Sequence, residues 1–252
     1  MRGLENKVVI VAGGGGIGSA TVERLAEARA CVVVGDLDGN HAEALAARVR
    51  GSGADCIGVQ FDITDEASVN ALVAAAVQRH GGLDAMHVNV ADLQVIRADS
   101  DVLAESMDVF DRTIKVNLRG HWLCTRAALP QLLQRGGGSL VYTSSCASTM
   151  GESERPAYAA TKAGIEALMR HVATRWGRER IRANAITPGL VLTPPIKEIM
   201  TAEFESQWVA VTRSWRLGAP QDIASMVAFL ISDEAEWITA QVMGVNGGTV
   251  MR

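Results

Sequence analysis

Apolar positions along the chain fall into two alternating patterns. Short runs rich in β-branched residues predict strands, and the longer segments between them carry apolar residues at helical spacing. The predicted strands are residues 7–12, 31–36, 56–62, 84–89, 139–144, 181–186 and 241–246. The predicted helices are residues 17–29, 40–50, 65–80, 101–135, 156–177 and 221–232, with Thr64 as the expected N-cap of the third.

Strands that alternate with helices indicate βαβ units, and continuous apolar runs indicate strands buried on both faces. The fold class that follows is α/β: a single-domain Rossmann-type doubly wound parallel sheet of about seven strands, with helices on both faces. No linker interrupts the pattern, so residues 1–252 are predicted to form one dinucleotide-binding and catalytic domain. Residues 190–219 show no clear strand, and we expect them to form a substrate lid.

Composition and charge exclude several classes of function. The net charge of −4 argues against nucleic-acid binding, and no apolar run approaches the ~20 residues of a membrane span. The four cysteines have no CxxC spacing, so we expect no disulfide framework, no structural zinc and no metal site. With no signal-peptide pattern after Met1, the chain is expected to be cytoplasmic, with no membrane partner.

A glycine-rich loop separates the first strand from the first helix. Gly13, Gly16 and Gly18 let the backbone turn and approach a pyrophosphate, which the amides of the helix N-terminus would hold. Asp36 ends the second strand, 18 residues after Gly18, where a carboxylate accepts hydrogen bonds from ribose hydroxyls and repels a 2′-phosphate. These features predict NAD as the cofactor. The alternatives are a structural glycine turn and a capping aspartate.

Candidate catalytic groups follow the fifth strand. Tyr158 and Lys162 are four residues apart in a predicted helix and so share one face, where an ammonium favours the phenolate. Ser145 follows the fifth strand, where ligands bind in open α/β sheets, and Ser144 competes for its role. Asn117 lies within the long predicted helix and by itself would carry little weight.

Taken together, these motifs resemble the classical short-chain dehydrogenase/reductase family over essentially the whole chain. The segments that carry the resemblance are AGGGGIG (12–18), Asp36, FDITD (61–65), LDAMHVNVA (83–91), KVNLRG (115–120), SLVYTSSCAS (139–148), YAATK (158–162), IRANAITPGLVLT (181–193) and QVMGVNGG (241–248).

The resemblance implies roles for individual residues. Ser145 would hold the substrate oxygen, Tyr158 would exchange the proton, and Lys162 would bind the nicotinamide ribose and lower the tyrosine pKa, while Asn117 would hold a relay water. The expected cofactor contacts are Gly13, Gly16, Ile17, Gly18, Asp36, Asp62, Ile63, Asn89, Tyr158, Lys162, Pro188, Gly189, Val191 and Thr193. The resemblance also implies a homo-oligomer, typically a tetramer.

Three positions depart from the family pattern. Ala12 stands where threonine is usual, Val88-Asn89-Val90-Ala91 stands for Asn-Asn-Ala-Gly, and Asn246 stands where aspartate is commoner. In the family, that threonine ties the glycine loop to the end of the neighbouring strand. We therefore expect the tie to be altered here and cofactor affinity to change, with the catalytic groups complete.

The predicted substrate wall is mostly apolar. Its candidates are residues 92–95, Cys146-Ala147, residues 150–155 and the 190–219 segment, with Leu93, Met150, Leu190, Ile196, Met200, Trp208 and Trp215 as apolar members. The two tryptophans could equally pack the lid or a subunit interface. Glu152, Glu154 and Arg155 are expected to be solvated loop charges, with recognition of a polar substrate group as the alternative. The leading interpretation is an NAD-dependent dehydrogenase of a secondary alcohol, cyclic or aromatic; an acyl-thioester ketoreductase and an idle NAD-binding sensor or scaffold are the alternatives.

Overall fold

A computed structural model describes residues 1–251, in which seven strands alternate with helices. The strands are β1 (Val8–Ala12), β2 (Cys31–Asp36), β3 (Cys56–Gln60), β4 (Ala85–Val88), β5 (Gly138–Thr143), β6 (Ile181–Pro188) and β7 (Val242–Val245). The α-helices of this part are α1 (Gly16–Glu27), α2 (Gly39–Arg50), α3 (Glu66–His80), α4 (Met107–Thr113), α5 (Gly120–Gln134), α6 (Pro156–Trp176), α7 (Pro194–Ile199), α8 (Ala202–Val211) and α9 (Pro220–Ile231).

All strand pairs in the sheet are parallel, in the order β3-β2-β1-β4-β5-β6-β7. The predicted Rossmann-type α/β fold is therefore confirmed. The strand order reverses between β1 and β4, and the crevice beyond the carboxyl ends of these strands is where ligands bind in such sheets. The topology thus places the candidate site at the ends of β1, β2, β4 and β5.

Side chains of each strand enter two separate cores. In β1, Val8, Ile10 and Ala12 pack with α3, α5 and α6, whereas Val9 and Val11 pack with α1, α2 and α9. Both faces are covered, which explains why the strands are continuous apolar runs instead of alternating ones. A sheet held from both sides is a rigid platform for the residues at its edge.

Several helices differ from their predicted bounds. Asp65, and not Thr64, caps α3: its carboxylate accepts from the Ala67 amide at 3.0 Å. The predicted helix 101–135 is interrupted, because the Asp101 carboxylate accepts from the amides of Leu103 and Ala104 and closes a turn. α4 begins only at Met107, and a π-helical turn, Ile114–Arg119, joins it to α5.

The segment at 190–219 is more ordered than the sequence predicts. It contains α7 and α8, and a bridge between Val191 and Gly218 closes its two ends. In the described part of the chain, we find no helix with the length and apolar character that crossing a bilayer requires.

Candidate active site

A cavity of about 880 Å³ opens beyond the carboxyl ends of the strands. It lies at the upper end of the size range of small-molecule sites. Of the predicted site residues, only Gly18 and Asn117 do not line it. Those that line it are Gly13, Gly16, Ile17, Asp36, Asp62, Ile63, Asn89, Ser145, Tyr158, Lys162, Pro188, Gly189, Val191 and Thr193.

The glycine loop has no room for side chains at two positions. A Cβ on Gly18 would stand 1.8 Å from the Gly13 carbonyl oxygen, and one on Gly16 would stand 2.8 Å from Thr193. Gly13 also adopts a φ of +102°, which side chains rarely allow. The loop leads into α1, where no side chain caps the first amides. Compact backbone and unpaired amides fit a pyrophosphate.

Asp36 supports this loop and faces the cavity. Its Oδ2 accepts from the Gly14 amide at 2.8 Å, and its Oδ1 accepts from the Asp38 amide at 3.1 Å. The capping interpretation and the ribose interpretation are thus compatible, because each carboxylate oxygen has a second lone pair. Leu37, the next residue, is exposed and offers no cation for a 2′-phosphate.

The next two strands supply the walls around the other predicted cofactor contacts. After β3, the Asp62 carboxylate accepts from the Thr64 amide at 2.8 Å, and Ile63 is buried against the cavity. After β4, the backbone N–H of Asn89 donates to the Ala12 carbonyl at 2.9 Å. Polar groups and apolar surface therefore alternate along one side of the crevice.

A series of hydrogen bonds connects the glycine loop to the ends of β4 and β5, although Ala12 has no side-chain hydroxyl to contribute. The Thr143 hydroxyl donates to Asn89 Oδ1 at 2.9 Å, and Asn89 Nδ2 donates to the Gly13 carbonyl at 3.4 Å. His87 Nε2 lies 2.8 Å from the same hydroxyl. Since the hydroxyl proton goes to Asn89, His87 Nε2 is the donor, and burial lowers its pKa to about 3 so that the ring stays neutral.

Tyr158 and Lys162 lie on α6 and face the end of β5. Lys162 is buried, and its Nζ donates to the Thr143 carbonyl at 2.9 Å and lies 5.4 Å from the centre of the Tyr158 ring. Burial lowers the pKa of Lys162 to about 7. At that pKa, the Lys162 ammonium can lose its proton near neutral pH.

The pKa of Tyr158 differs from the sequence expectation. Burial raises it above the usual 10, and the hydrogen bond with the Ser145 hydroxyl opposes that rise only in part. Burial thus acts on the Tyr158 pKa in the direction opposite to the lowering that the resemblance implies. The physical reason is that a buried phenolate loses its hydration.

The two neighbouring serines have distinct environments. Ser145 Oγ accepts from the Ala147 amide at 3.2 Å and lies beside the Tyr158 hydroxyl. Ser144 is buried and its hydroxyl lies 2.8 Å from a Glu166 carboxylate oxygen. The geometry thus favours Ser145 over Ser144 as the group that meets a substrate oxygen.

Asn117 lies behind the cavity in the π-helical turn. Its Oδ1 accepts from the Asp92 amide at 2.9 Å, while its Nδ2 is buried with no hydrogen-bond partner among the described residues. π-helical turns are rare and frequent at functional sites. A buried amide donor with no protein acceptor fits the role of holding a water molecule.

Sequence reasoning missed Asp99, which caps α6. Its carboxylate accepts from the Tyr158 amide at 2.7 Å and from the Ala157 amide at 3.4 Å, although it lies 59 residues before Tyr158. Beside it, burial and the Asp99 carboxylate raise the pKa of Glu105 to about 7. No local pattern marks Asp99, because its partner amides belong to a different element.

The far end of the cavity is walled by the predicted substrate segments. Its apolar members are Leu93, Met150, Leu190, Ile196 and Trp208. Trp215 and Met200 lie outside the wall, and Trp215 is 86% exposed. Glu152 and Arg155 form an ion pair of 2.6 Å in the cavity wall, so they are not simply solvated loop charges.

Comparison with known proteins gives the same architecture. A family described as enoyl-(acyl carrier protein) reductase matches residues 11–250. The 7alpha-hydroxysteroid dehydrogenase of Bacteroides fragilis is 33% identical, over 98% of this chain and 96% of that protein. The cis-4-hydroxycyclohexanecarboxylate dehydrogenase of Sinomonas cyclohexanicum is also 33% identical, over 97% and 96%. The solved structure of a short-chain type dehydrogenase/reductase from Mycobacterium ulcerans superposes with a TM-score of 0.91 at 27% identity, over 97% of this chain and 90% of that chain.

Proposed function

Because this chain belongs to the classical short-chain dehydrogenase/reductase family and is an oxidoreductase of CH–OH groups, we propose that it oxidises a cyclic secondary alcohol with NAD. The observation that carries the proposal is the convergence of Ser145, Tyr158 and Lys162 on one cavity wall. The glycine loop and Asp36 lie at the same cavity. The residues that would bind the cofactor and those that would move the proton therefore border one cavity.

The residues present fit a nicotinamide dinucleotide. Gly13, Gly16 and the first amides of α1 would hold its pyrophosphate, and Asp36 would accept from the adenosine ribose hydroxyls. Asp62 and Ile63 would border the adenine, and the 188–193 segment would border the nicotinamide. When bound, the cofactor supplies the acceptor for the hydride, and the protein supplies orientation and proton transfer.

The protein groups act on the substrate hydroxyl. Ser145 would donate to the substrate oxygen and fix its position, since its hydroxyl lies at the cavity surface. Tyr158 would take the hydroxyl proton in its phenolate form as the carbinol C–H bond breaks, and the positive charge of a bound oxidised nicotinamide would favour that form. Lys162, held by the Thr143 carbonyl, would supply positive charge beside the phenol. Asn117 would hold a water molecule that connects this group to solvent.

An apolar wall and the names of two relatives support the substrate class. Leu93, Met150 and Trp208 offer surface to a hydrocarbon ring. The relatives are named for a hydroxysteroid and a hydroxycyclohexanecarboxylate, both of which carry an alcohol on a ring. An acyl-thioester ketoreductase is the second candidate, because the matched family is described as an acyl-carrier-protein reductase.

The function is tested by following nicotinamide absorbance with a panel of cyclic, aromatic and steroidal secondary alcohols and with an acyl-thioester ketone. Activity with a cyclic alcohol and NAD is the expected result. Tyr158→Phe should lower kcat by about 10²–10⁴-fold while the Kd for NADH stays within about threefold, because only the proton carrier is removed. Tight NADH binding without turnover on any substrate would favour the sensor or scaffold alternative.

Cofactor choice is predicted to depend on Asp36. Asp36→Ala should weaken NAD binding by about 10–100-fold, because charge-assisted hydrogen bonds to the ribose are lost. The same change should narrow the preference over NADP, since the repulsion of a 2′-phosphate disappears. The measurement is fluorescence titration with NADH and NADPH. Equal affinity of the unaltered protein for both cofactors would contradict the assignment.

The assembly is proposed to be a homotetramer. The support for this assembly is the family, whose members are typically tetramers. Light scattering of the purified chain tests the assembly. The single domain, the lid at residues 190–219 and the cytoplasmic location stay predictions.

A further inference from the structure

Three potential metal ligands meet near the amino ends of β2 and β3, at the opposite end of these strands from the cavity. Cys31 is the first residue of β2, Asp55 directly precedes β3, and His80 is the last residue of α3. One ligand atom from each lies within 4.8 Å of the other two. Cys31 and Asp36 are at opposite ends of β2, so the cluster lies about 16 Å along the strand from the cofactor contacts.

The positions of these side chains are set by the backbone. Val32 donates to the Asp55 carbonyl at 2.9 Å, which fixes Asp55 beside the start of β2. His80 is held by the final turn of α3, which Gly81 ends in the left-handed conformation. Ligands on rigid elements require little rearrangement to bind a cation.

His80 has an imidazole that the protein does not satisfy. Its side chain is 5% exposed, and its Nε2 is buried with no hydrogen-bond partner in the part of the chain described here. Its Nδ1 faces Asp55 Oδ2 at 3.7 Å, beyond hydrogen-bond distance. In the neutral ring with its proton on Nε2, Nδ1 directs a lone pair at a carboxylate across this gap, and a cation between the two would satisfy both groups.

The spacing suits a zinc ion. Tetrahedral zinc, with bonds of about 2.0–2.3 Å, holds neighbouring ligand atoms roughly 3.3–3.6 Å apart. The 3.7 Å between His80 and Asp55 is close to that value, and the full cluster requires side-chain shifts of about an ångström. One sulfur, one imidazole nitrogen and one carboxylate oxygen form a donor set typical of zinc and unsuited to magnesium or calcium.

The surrounding charges are compatible with a cation. Arg79 donates to Asp55 Oδ1 at 3.2 Å, which leaves Oδ2 directed at His80. A hydrogen bond to the second oxygen of a ligating carboxylate is a common outer contact in metal sites. Burial and the carboxylates of Asp55 and Asp84 raise the pKa of the Cys31 thiol, and Arg79 opposes this. A bound cation would reverse that rise by stabilising the thiolate.

We propose that Cys31, Asp55 and His80 form a zinc-binding site, with water as the fourth ligand, that clamps β2, β3 and α3 together. Binding replaces the thiol proton of Cys31 with a zinc–sulfur bond and releases that proton to the buffer. The site goes beyond the proposed oxidoreductase function and does not depend on it. The cysteine spacing that argued against zinc concerns ligands near in sequence, whereas these three come from separate elements.

Zinc binding to the chelator-stripped chain tests the proposal, measured by competition with a colorimetric zinc chelator. We expect one Zn²⁺ per chain with a Kd of about 1 μM or lower. Cys31→Ser and His80→Gln should each weaken binding at least tenfold. His171→Gln, which removes an exposed histidine of α6, is the matched control and should leave the Kd unchanged. Circular dichroism of every variant verifies that it is folded.

Two further readouts are independent of the chelator. Excess Zn²⁺ should raise the melting temperature of the unaltered chain by about 5 °C and leave that of Cys31→Ser unchanged, whereas Mg²⁺ should have no effect on either. Calorimetry in buffers of different ionisation enthalpy should detect about one proton released per zinc at neutral pH, and fewer with Cys31→Ser. Millimolar affinity, or equal affinity in all variants, would overturn the proposal. Neither result bears on oxidoreductase activity, which is measured separately.

Discussion

At the scale of single residues, Thr143 connects Lys162 to the glycine loop. Its carbonyl accepts from Lys162, and its hydroxyl joins His87 to Asn89 and hence to the Gly13 carbonyl. One residue at the end of β5 therefore sets the positions of groups on β1, β4 and α6. Ala12 and Val88 are thus compatible with a glycine loop that is hydrogen-bonded to Asn89, directly after β4.

Thr143→Val is predicted to lower the free energy of unfolding by about 1–3 kcal/mol, because His87 Nε2 is left buried without an acceptor. Adding His87→Leu should restore part of that loss, since both members of the pair are then apolar. Urea unfolding of Thr143→Val, of His87→Leu and of the double variant measures the coupling free energy between the two side chains. If the double variant loses the sum of the two single effects, the bond between His87 and Thr143 contributes nothing.

Single residues near the catalytic groups were predictable to different degrees. Tyr158 and Lys162 are identified by a local spacing, and the structure brings both to the cavity. The choice of Ser145 over Ser144 depends on the burial of Ser144 beside Glu166, which belongs to α6. The pKa of Tyr158 depends on how completely the site excludes water, and a sequence pattern does not report this.

At the scale of elements, α6 carries Tyr158 and Lys162 and is held at its beginning by a carboxylate from another segment. The first turn of a helix has amides without intrahelical acceptors, and Arg155, at the N-cap, contributes no side-chain hydrogen bond. Asp99 supplies the missing acceptors and bonds the amide of Tyr158 itself. The loop that precedes α4 thereby sets the position of Tyr158.

Asp99→Ala is predicted to destabilise the chain by about 1–2 kcal/mol, the usual effect of a lost helix cap. It should also lower kcat more than it raises the KM for the cofactor, because the displaced group is Tyr158. Asp99→Asn retains an acceptor oxygen, so it should keep most of the stability and most of the kcat of the unaltered chain. The matched control is Asp101→Ala. Asp101 lies in the same loop, and its carboxylate accepts from the amides of Leu103 and Ala104, which are outside α6. Urea unfolding and steady-state kinetics distinguish the variants; equal kcat in Asp99→Ala and Asp101→Ala would contradict this role.

Element boundaries show where tertiary contacts override local pattern. The apolar spacing of residues 101–135 resembles one helix, yet the side chain of Asp101 caps a turn and Ser106 starts a new helix. The π-helical turn that places Asn117 against the Asp92 amide adds a second interruption. Such interruptions depend on hydrogen bonds with other parts of the fold, and hydrophobic periodicity does not encode them.

At the scale of the whole molecule, burial of Lys162 connects stability to pH. The pKa of about 7 in the folded chain lies below the usual 10.5, so the unfolded chain binds more protons between these values. Stability contributed by this group therefore rises as pH increases from about 7 toward 10.5. The ammonium form is the one that folding disfavours.

Between pH 7 and 8.5, the free energy of unfolding of the cofactor-free chain should gain about 1–2 kcal/mol from Lys162. Lys162→Met removes the titration, so its stability should rise less over the same interval. The difference between the two pH slopes, measured by urea unfolding, isolates this residue from the other groups that titrate there. Identical slopes would mean that Lys162 has an ordinary pKa in the folded state.

The sequence by itself determined the class of fold, the order of the strands and helices, and most of the residues at the cavity. Apolar runs, helical spacing and the glycine loop are local features, and parallel βαβ topology then brings the ends of consecutive strands to one edge. Only the tertiary structure decided the Asp99 cap, the link from His87 through Thr143 to Asn89, and the meeting of Cys31, Asp55 and His80. Each of these contacts joins residues whose distance in space depends on how whole elements pack, so no spacing along the chain predicts the contact.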